Sequence, residues 1–562
     1  MGSEMCIRDR IGDNTEEKRR MNQANGYNPL TGEYNDSLTG DYLWSSVNTR
    51  EATPDVTTPY TWSALRFGFA QMIMLPGHLP VGNICGRVYN NASVGATAFQ
   101  ALGRGNSFDA SSRELYGIDP NDVGKWKVPL IPFGFRDRVL VFRNVLQIMG
   151  KVRNALKSVD KFVETNPAWC EAQHRELPNY DKGELVRWSS EILWPYLIKC
   201  FWWMAGGAIT QANFIRKLRR DLLAVVSPDD TVALLSNVSS EDEFLSSLGI
   251  VAGLDRLRRG QMSRAEYVQQ YGYRGPHEVE MFVPRPAENP HWIDEQLAGL
   301  ERAAVDVDTL IREQRARYET ALLKLRQVAS RKFDSFLARL QEAARLTRLR
   351  EAGRSEVVRT FWVSRVCVLR AGDLCGLGAD AFFLEHEELL RLLRGQNDFT
   401  DQIPARKTAY QKFSALPQYP TLIMGRFDPV VWAADPNRRT DIFDATGRIN
   451  QRFAHQIKGL PGSAGRAEGR VRIVNSPEEG NQLQPGEILV TVTTNVGWTP
   501  IFPRAAAIVT DVGAPLSHAA IVARELGIPA VVGCFNATST LKTGDRIRVD
   551  GGQGIVEIIE KA

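Results

Sequence analysis

The chain has 562 residues, of which 43% are hydrophobic and 24% charged, an ordinary globular composition that excludes a wholly disordered or collagen-like polymer. Lys plus Arg number 69 and Asp plus Glu 65, a formal net charge of +4, too balanced to mark a nucleic-acid partner by charge alone. The 7 cysteines include no C-x-x-C pair and the 7 histidines no H-x-x-x-H pair, which points away from a zinc knuckle, a redox pair or a histidine metal site and fits a reducing cytoplasm.

Met1–Arg10, MGSEMCIRDR, is mixed and charged and has no secretory pattern; it reads as an artefact of sequence read-through and is set aside. Residues 11–63 are polar and rich in turn formers, which predicts an extended segment. From 64 to 400 helical patterns dominate. Ile192–Ile209 has nearly the length of a membrane span, but Pro195 and Lys199 stand near its middle, where a charge costs about 2.5–3.5 kcal/mol. A buried helix with aromatic faces is expected there, and no membrane partner. Its aromatic residues, Trp194, Phe201, Trp202 and Trp203, with Met204, suit either core packing or a flat apolar acceptor such as a phenol.

Over Leu297–Leu349, Leu325, Val328, Phe333, Phe336 and Leu340 mark one apolar helical face, with Arg and Glu forming a solvated one. Phe361–Leu369 and Phe382–Leu393 read as a helix pair separated by Gly372, Gly376 and Gly378. Residues 401–465 return to a proline-rich loop, expected to be a linker or hinge. From 466 to 562 short β runs follow: Gly469–Val474, Glu487–Val492, Ala506–Thr510, Ala530–Gly533, Arg546–Asp550 and Ile555–Ile559. One helix, Ser517–Leu526, lies among them, which predicts a compact α/β domain. The expected fold class is multidomain: a large, mainly α-helical region followed by a compact α/β domain.

The most informative stretch is TDVGAPLSHAAIVARELGIPAVVG, Thr510–Gly533. A buried strand ends in a loop holding Gly513 and Pro515, and Ser517 is a good N-cap. His518 then falls in the first turn of a helix with Ala519, Ile521, Val522 and Leu526 on its apolar face, stopped by Gly527 and Pro529. A histidine at a helix N-terminus is biased toward neutral imidazole by the dipole. Neutral imidazole is nucleophilic, and a phosphate approaching it meets free backbone N–H groups. These residues fit a phosphoryl-accepting histidine or a capping histidine without chemistry.

The stretch resembles the phosphohistidine, or swivelling, domain of the PEP-utilising enzymes, which include phosphoenolpyruvate synthase, pyruvate phosphate dikinase and rifampicin phosphotransferase. Thr510, Gly513, Ser517 to Ile521, Ala523 to Glu525 and Gly527 to Gly533 carry the resemblance. It extends back through Pro485-Gly486-Glu487 and Trp498-Thr499-Pro500, and forward to Asp550-Gly551 and Gly554. By this resemblance His518 is the phosphorylated nucleophile. Ala514 stands where the family usually has a second Gly. Leu516 stands where the plant dikinases carry a regulatory Thr, so that control is not expected.

In phosphoenolpyruvate synthase an acceptor barrel follows the histidine domain; here the sequence stops after it, which disfavours phosphoenolpyruvate synthesis in the usual way. In rifampicin phosphotransferase a helical acceptor region precedes the histidine domain, the order seen here. Trp44–Ser63, Gly86–Asn91 and Tyr271–Pro290 resemble motifs of that region, with Tyr273 replacing the family's usual His. No ATP-grasp domain precedes the first motif. The expectation is therefore a separate ATP-grasp partner subunit, as in phenylphosphate synthase, carrying ATP and Mg²⁺, with no cofactor or metal bound by this chain; the alternative is a truncated gene.

The resemblance implies a cytoplasmic phosphotransferase component that carries a phosphoryl group from ATP, on phosphohistidine, to a small-molecule hydroxyl. Arg274, Arg524 and Ser517 are candidates for binding phosphate. Glu278, Trp202 and Trp203 are candidates for binding the acceptor, with Glu278 as base. For Arg274 and Glu278 a structural salt bridge is the competing expectation, as solvent exposure is for Arg524, and Arg285 lies in the same loop. The other functional readings are a phosphoenolpyruvate synthase-related phosphocarrier and a non-catalytic scaffold.

Overall fold

The computed structural model describes residues 26–105, 116–117, 127–236, 246–303, 307–445, 447, 457–515 and 517–562. Met1–Arg10 and Leu516, singled out above, lie outside them. The chain forms two compact units, each built from separated stretches. One comprises Met1–Lys151, Asn179–Ile198 and Cys367–Asn450; the other comprises Val152–Pro178, Lys199–Val366 and Gln451–Ala562.

The first unit contains a sheet that the sequence pattern does not predict. Its strands are β1 (Leu43–Ser45), β2 (Val81–Ile84), β3 (Arg87–Asn91), β4 (Leu422–Met424) and β5 (Ile442–Asp444), in the order β2-β3-β1-β4-β5. All neighbours are antiparallel except β4 and β5. Cys85 and Gly86, both at positive φ, turn the β2–β3 hairpin; the glycine is needed because a Cβ there would stand 2.3 Å from Val56. Trp44, Ile84, Tyr89, Tyr419, Ile423, Phe427 and Trp432 fill the core on the sheet.

Two segment readings change accordingly. Residues 11–63 are not extended throughout, since β1 and a helix, Pro59–Phe69, begin within them. Residues 401–465 are not only a linker: they supply a helix, Ile403–Ser414, and strands β4 and β5. Strands this short leave no period-two hydrophobic pattern to find.

Helix α1 (Phe135–Leu156) begins in this unit, where Val141 packs with Leu75, Val94, Ala98, Ala101 and Ile131. The continuous helical stretch Lys182–Leu223 is long and apolar enough to cross a membrane by length and composition, and 39% of its apolar window is buried. Helix α2 (Phe333–Cys375) is one element of 43 residues, so Phe361–Leu369 is its last part rather than a separate helix. Gly372 sits inside it because the Gly378 carbonyl leaves no room for a Cβ. Leu325, Phe336 and Leu340 are buried with Ile215, Leu218 and Leu222 as the apolar face requires, but Val328 is 61% exposed beside the break between the helices.

The second unit carries an eight-stranded sheet: β6 (Ile457–Lys458), β7 (Leu460–Ser463), β8 (Arg466–Ile473), β9 (Ile488–Thr491), β10 (Ala507–Thr510), β11 (Ala530–Val532), β12 (Arg546–Asp550) and β13 (Ile555–Glu560). The order is β6-β13-β12-β8-β9-β10-β11-β7, with β8 to β11 parallel. The sheet thus starts before residue 466; β7, Leu-Pro-Gly-Ser, reads as a turn from sequence. Along β9 and β10 alternate residues serve two cores, as strand pleating dictates. Ile488, Val490, Ala507 and Val509 face one. Leu489 and Ile508 face the other, which they share with helix α3 (His518–Glu525) and with Leu248, Val251, Leu254 and Ile293 of the helical segment. The architecture is a mainly helical region followed by a C-terminal α/β sheet region, as the pattern predicts.

Candidate functional site

Strand β10 delivers the chain to a tight loop in which Gly513, at φ +151, lies so close to Ser517 that a Cβ would stand 3.1 Å from its Oγ. Ala514 replaces glycine here without adopting positive φ, and its carbonyl accepts the Ser517 N–H at 2.8 Å. Ser517 caps α3, its Oγ accepting from the Ala520 N–H at 3.4 Å. The next residue is His518, 5% exposed.

Both imidazole nitrogens have hydroxyl partners: Thr494 Oγ1 lies 3.2 Å from Nδ1 and Thr499 Oγ1 3.1 Å from Nε2. A neutral ring has one N–H and one lone pair, so one threonine accepts and the other donates. Phe502 sets its ring edge-on at 5.7 Å. Burial, and then the charges of Arg354, Arg274 and Arg350, push His518 well below its ordinary pKa of 6.5. Burial and these three positive charges all favour the neutral imidazole.

The arginines come from two elements. Arg274 follows the short helix Arg264–Tyr271, and Arg350 and Arg354 are one turn apart on α2. Arg274 donates from Nε to Glu278 and from Nη1 to Ser355 Oγ at 2.9 Å. Arg354 Nη2 stands 3.6 Å from Glu278 Oε2, an atom with no hydrogen bond. Ser355 Oγ also meets Tyr273 OH at 2.5 Å, and the Arg359 guanidinium covers the Tyr273 ring at 3.9 Å. Burial chiefly raises the Tyr273 pKa, so its phenol stays protonated. The following loop is pinned to the histidine domain: Asn495 Nδ2 donates to Pro276 O at 2.6 Å. Gly497 admits this approach, since a Cβ would come within 2.6 Å of Pro276 Cα.

The structure therefore brings together His518, Ser517, Arg274 and Glu278. The last two also form the salt bridge that was their competing expectation. Arg285 is buried in the same loop and donates to His277 O at 2.6 Å. Arg524 is buried, not exposed, and its Nη2 donates to Gly462 O and Pro515 O at 3.0 and 2.7 Å. It ties down the loop leading to His518 rather than pointing a free guanidinium at a phosphate. Burial lowers its pKa to about 10.

The aromatic cluster is dispersed. Trp194 belongs to the first unit, where it stacks on His386 at 3.5 Å. In the second, Trp203 stacks on Phe162 at 3.9 Å and donates to Ser158 Oγ, and Trp202 packs edge-on to Phe201. Consecutive helical residues point about 100° apart, so adjacency in sequence did not make one surface.

Thr494, Thr499, Phe502, Arg350, Arg354 and Ser355 were missed. Thr499 stood in the Trp498-Thr499-Pro500 motif without a role. Arg350 and Arg354 show only as an i, i+4 pair among many helical arginines. Among the described residues no group of three or more His, Cys, Asp or Glu side chains is placed to hold a metal ion.

Residues 483–554 match the family described as PEP-utilising enzyme, mobile domain. An uncharacterized protein of Mycobacterium tuberculosis (strain ATCC 25618 / H37Rv) is 35% identical over 366 residues, 64% of this chain and 37% of its own length. A rifampicin phosphotransferase of Streptomyces sviceus is 28% identical over 353 residues, 60% of this chain and 39% of its own. The prodigiosin synthesizing transferase PigC of Serratia marcescens is 31% identical over 312 residues, 53% of this chain and 33% of its own. This chain thus matches only 33 to 39% of the length of these relatives. Through residues 483–554 it carries a PEP-utilising enzyme mobile domain, the family that the Thr510–Gly533 motif resembles.

Proposed function

We propose that this chain is a phosphotransferase component in which His518 takes up a phosphoryl group and passes it to a small-molecule hydroxyl. The observation that carries the reading is a buried, neutral imidazole facing Arg274, Arg350 and Arg354. In the first half-reaction the imidazole lone pair attacks phosphorus, an N–P bond forms, and the bond from phosphorus to the donor's leaving oxygen breaks. In the second, the acceptor oxygen attacks phosphorus, the N–P bond breaks, and the hydroxyl proton passes to a base. Glu278 is the candidate for that base, through Oε2, which accepts no hydrogen bond and lies 3.6 Å from Arg354 Nη2. The arginines hold the transferring anion and offset charge as it moves. Tyr273, protonated and bonded to Ser355, keeps Arg274 in place instead of accepting a proton.

The donor is ATP, handled with Mg²⁺ by an ATP-grasp partner subunit, and the setting is cytoplasmic, in keeping with the cysteines at 85, 170, 200, 367, 375 and 534, which are in no disulfide. Relatives named as phosphotransferases support the class of reaction. Phosphoramidate tests the carrier directly, because it donates phosphoryl groups to histidine without a partner protein. The full chain is expected to gain one acid-labile phosphoryl, read by phosphorus NMR and intact mass, and His518→Ala none. An unlabelled wild-type chain would favour the scaffold reading, and label retained in His518→Ala would move the nucleophile elsewhere.

A further inference from the structure

Helix α1 is apolar on two faces. One is spent within its own unit: Val141 is fully buried, Val145 packs on the same core, and Asn144 Nδ2 donates to Met74 O at 3.2 Å. The neighbouring face, turned by about 100° from it, carries Phe135, Val139, Phe142, Leu146 and Met149, exposed by 80, 53, 58, 53 and 62%. They are spaced alternately by four and three residues. At about 100° per residue they fall within a strip roughly 80° wide. A strip that narrow, at heptad spacing, is the seam one helix offers another; a face lying on a core or in a bilayer is broader.

The flanks of the seam are basic and exposed: Arg136 and Arg143 on one side, Arg138 on the other. These are the positions whose charges set partner choice in paired helices. A second copy of α1, in either orientation, would set Arg against Arg. An acidic helix would pair with all three.

We propose that the Phe135–Met149 seam of α1 binds an acidic amphipathic helix of another polypeptide, apolar at heptad a and d positions and carrying Glu or Asp beside them. This stands apart from the His518 reading, since no residue is shared.

The test uses the full chain and two synthetic heptad-repeat peptides with Leu at a and d, one flanked by Glu and one by Lys, titrated by fluorescence anisotropy. The Glu peptide should bind at least about tenfold more tightly, and added salt should weaken it. Phe142→Asp with Leu146→Asp should abolish binding with the melting temperature unchanged, because both side chains are exposed. Arg136→Glu, Arg138→Glu and Arg143→Glu together should transfer the preference to the Lys peptide. Equal binding of both peptides, or binding that survives the Asp variant, overturns the proposal. A wild-type dimer in sedimentation that the Asp variant dissolves would assign the seam to a second copy. Flotation with phosphatidylserine vesicles, lost in the same variant, would assign it to a membrane; either result overturns the acidic-helix partner.

Discussion

Lowering the pH from 8 to 5 separates the site described above from an ordinary surface histidine. A free imidazole titrates near 6.5, so at pH 5 its neutral, nucleophilic fraction has fallen about 30-fold. His518 is sheltered by burial and faced by Arg354, Arg274 and Arg350, all of which oppose a second positive charge. Its neutral fraction should therefore stay essentially constant over that range. The measurement is nitrogen NMR of histidine-labelled protein, with the His518 signals assigned by their loss in His518→Asn. One protonated and one unprotonated ring nitrogen should persist to pH 5, with shifts fixed by the two threonine hydroxyls. An imidazolium forming at His518 near pH 6.5 would refute the reasoning, because neither burial nor the three arginines could then be acting. The linkage has the same sense: the unfolded chain takes up a proton at 6.5 that the folded site refuses. This histidine's contribution to stability is therefore whole above pH 6.5 and drains as pH falls.

Two further outcomes follow from single side chains. Arg354→Gln removes one charge facing the imidazole; a hydrogen bond to a charged group is worth about 1.5–3 kcal/mol. Phosphoryl transfer from loaded His518 should slow about 10- to 100-fold while the His518 titration climbs toward 6.5, and an unchanged rate in single-turnover assays would exclude Arg354 from the transfer. His386 is stacked on Trp194, and burial, then Arg394, lowers its pKa to about 3. Wild type should therefore lose about 2 kcal/mol between pH 8 and pH 5 through this residue alone. Urea melts of His386→Phe should lack that component, and parallel pH profiles for the two proteins would contradict the assignment.

The α/β domain was legible because its strands are short apolar runs set close together in sequence between distinctive turns, and because Ser517 and Gly527 punctuate α3. The β1–β5 sheet was not: Leu43–Ser45, Leu422–Met424 and Ile442–Asp444 are three residues each and are joined across the whole chain. Local pattern cannot reveal such pairing. At the site, the helix start placed His518 and the resemblance of Thr510–Gly533 singled it out, whereas its neutrality depends first on burial and then on charges that include Arg350 and Arg354. These lie more than 160 residues earlier in sequence, on a helix whose surface is arginine-rich throughout. Arg524 shows the opposite error. A charged residue near the end of a short helix reads as solvated, yet the carbonyls of Gly462 and Pro515 accept from its Nη2 and hold it inside.

The carrier role proposed for His518 requires it to meet both donor and acceptor, and the packing constrains how it can move. The expected hinge, 401–465, contributes residues 403–414, 422–424 and 442–444 to the folded first unit, so those stretches cannot extend freely without dismantling its sheet. On the other side, Val496, Trp498, Ile501, Phe502, Ala519 and Val522 of the histidine domain share one core with Leu248, Val251, Leu254, Ile293 and Leu300. Exposing a single buried side chain of this size costs about 1.5–3 kcal/mol. Parting the whole set would therefore exceed the stability of a typical domain. A swing that leaves Leu248–Leu300 behind is disfavoured unless a partner surface replaces the lost contacts. Two routes remain: the helical segment around Leu248–Leu300 travels with the histidine domain, or the partner's own apolar surface covers Trp498 and Phe502 as His518 is loaded. The routes predict opposite hydrogen-exchange results when the carrier is loaded: protection of 248–254 retained in the first, and lost in the second.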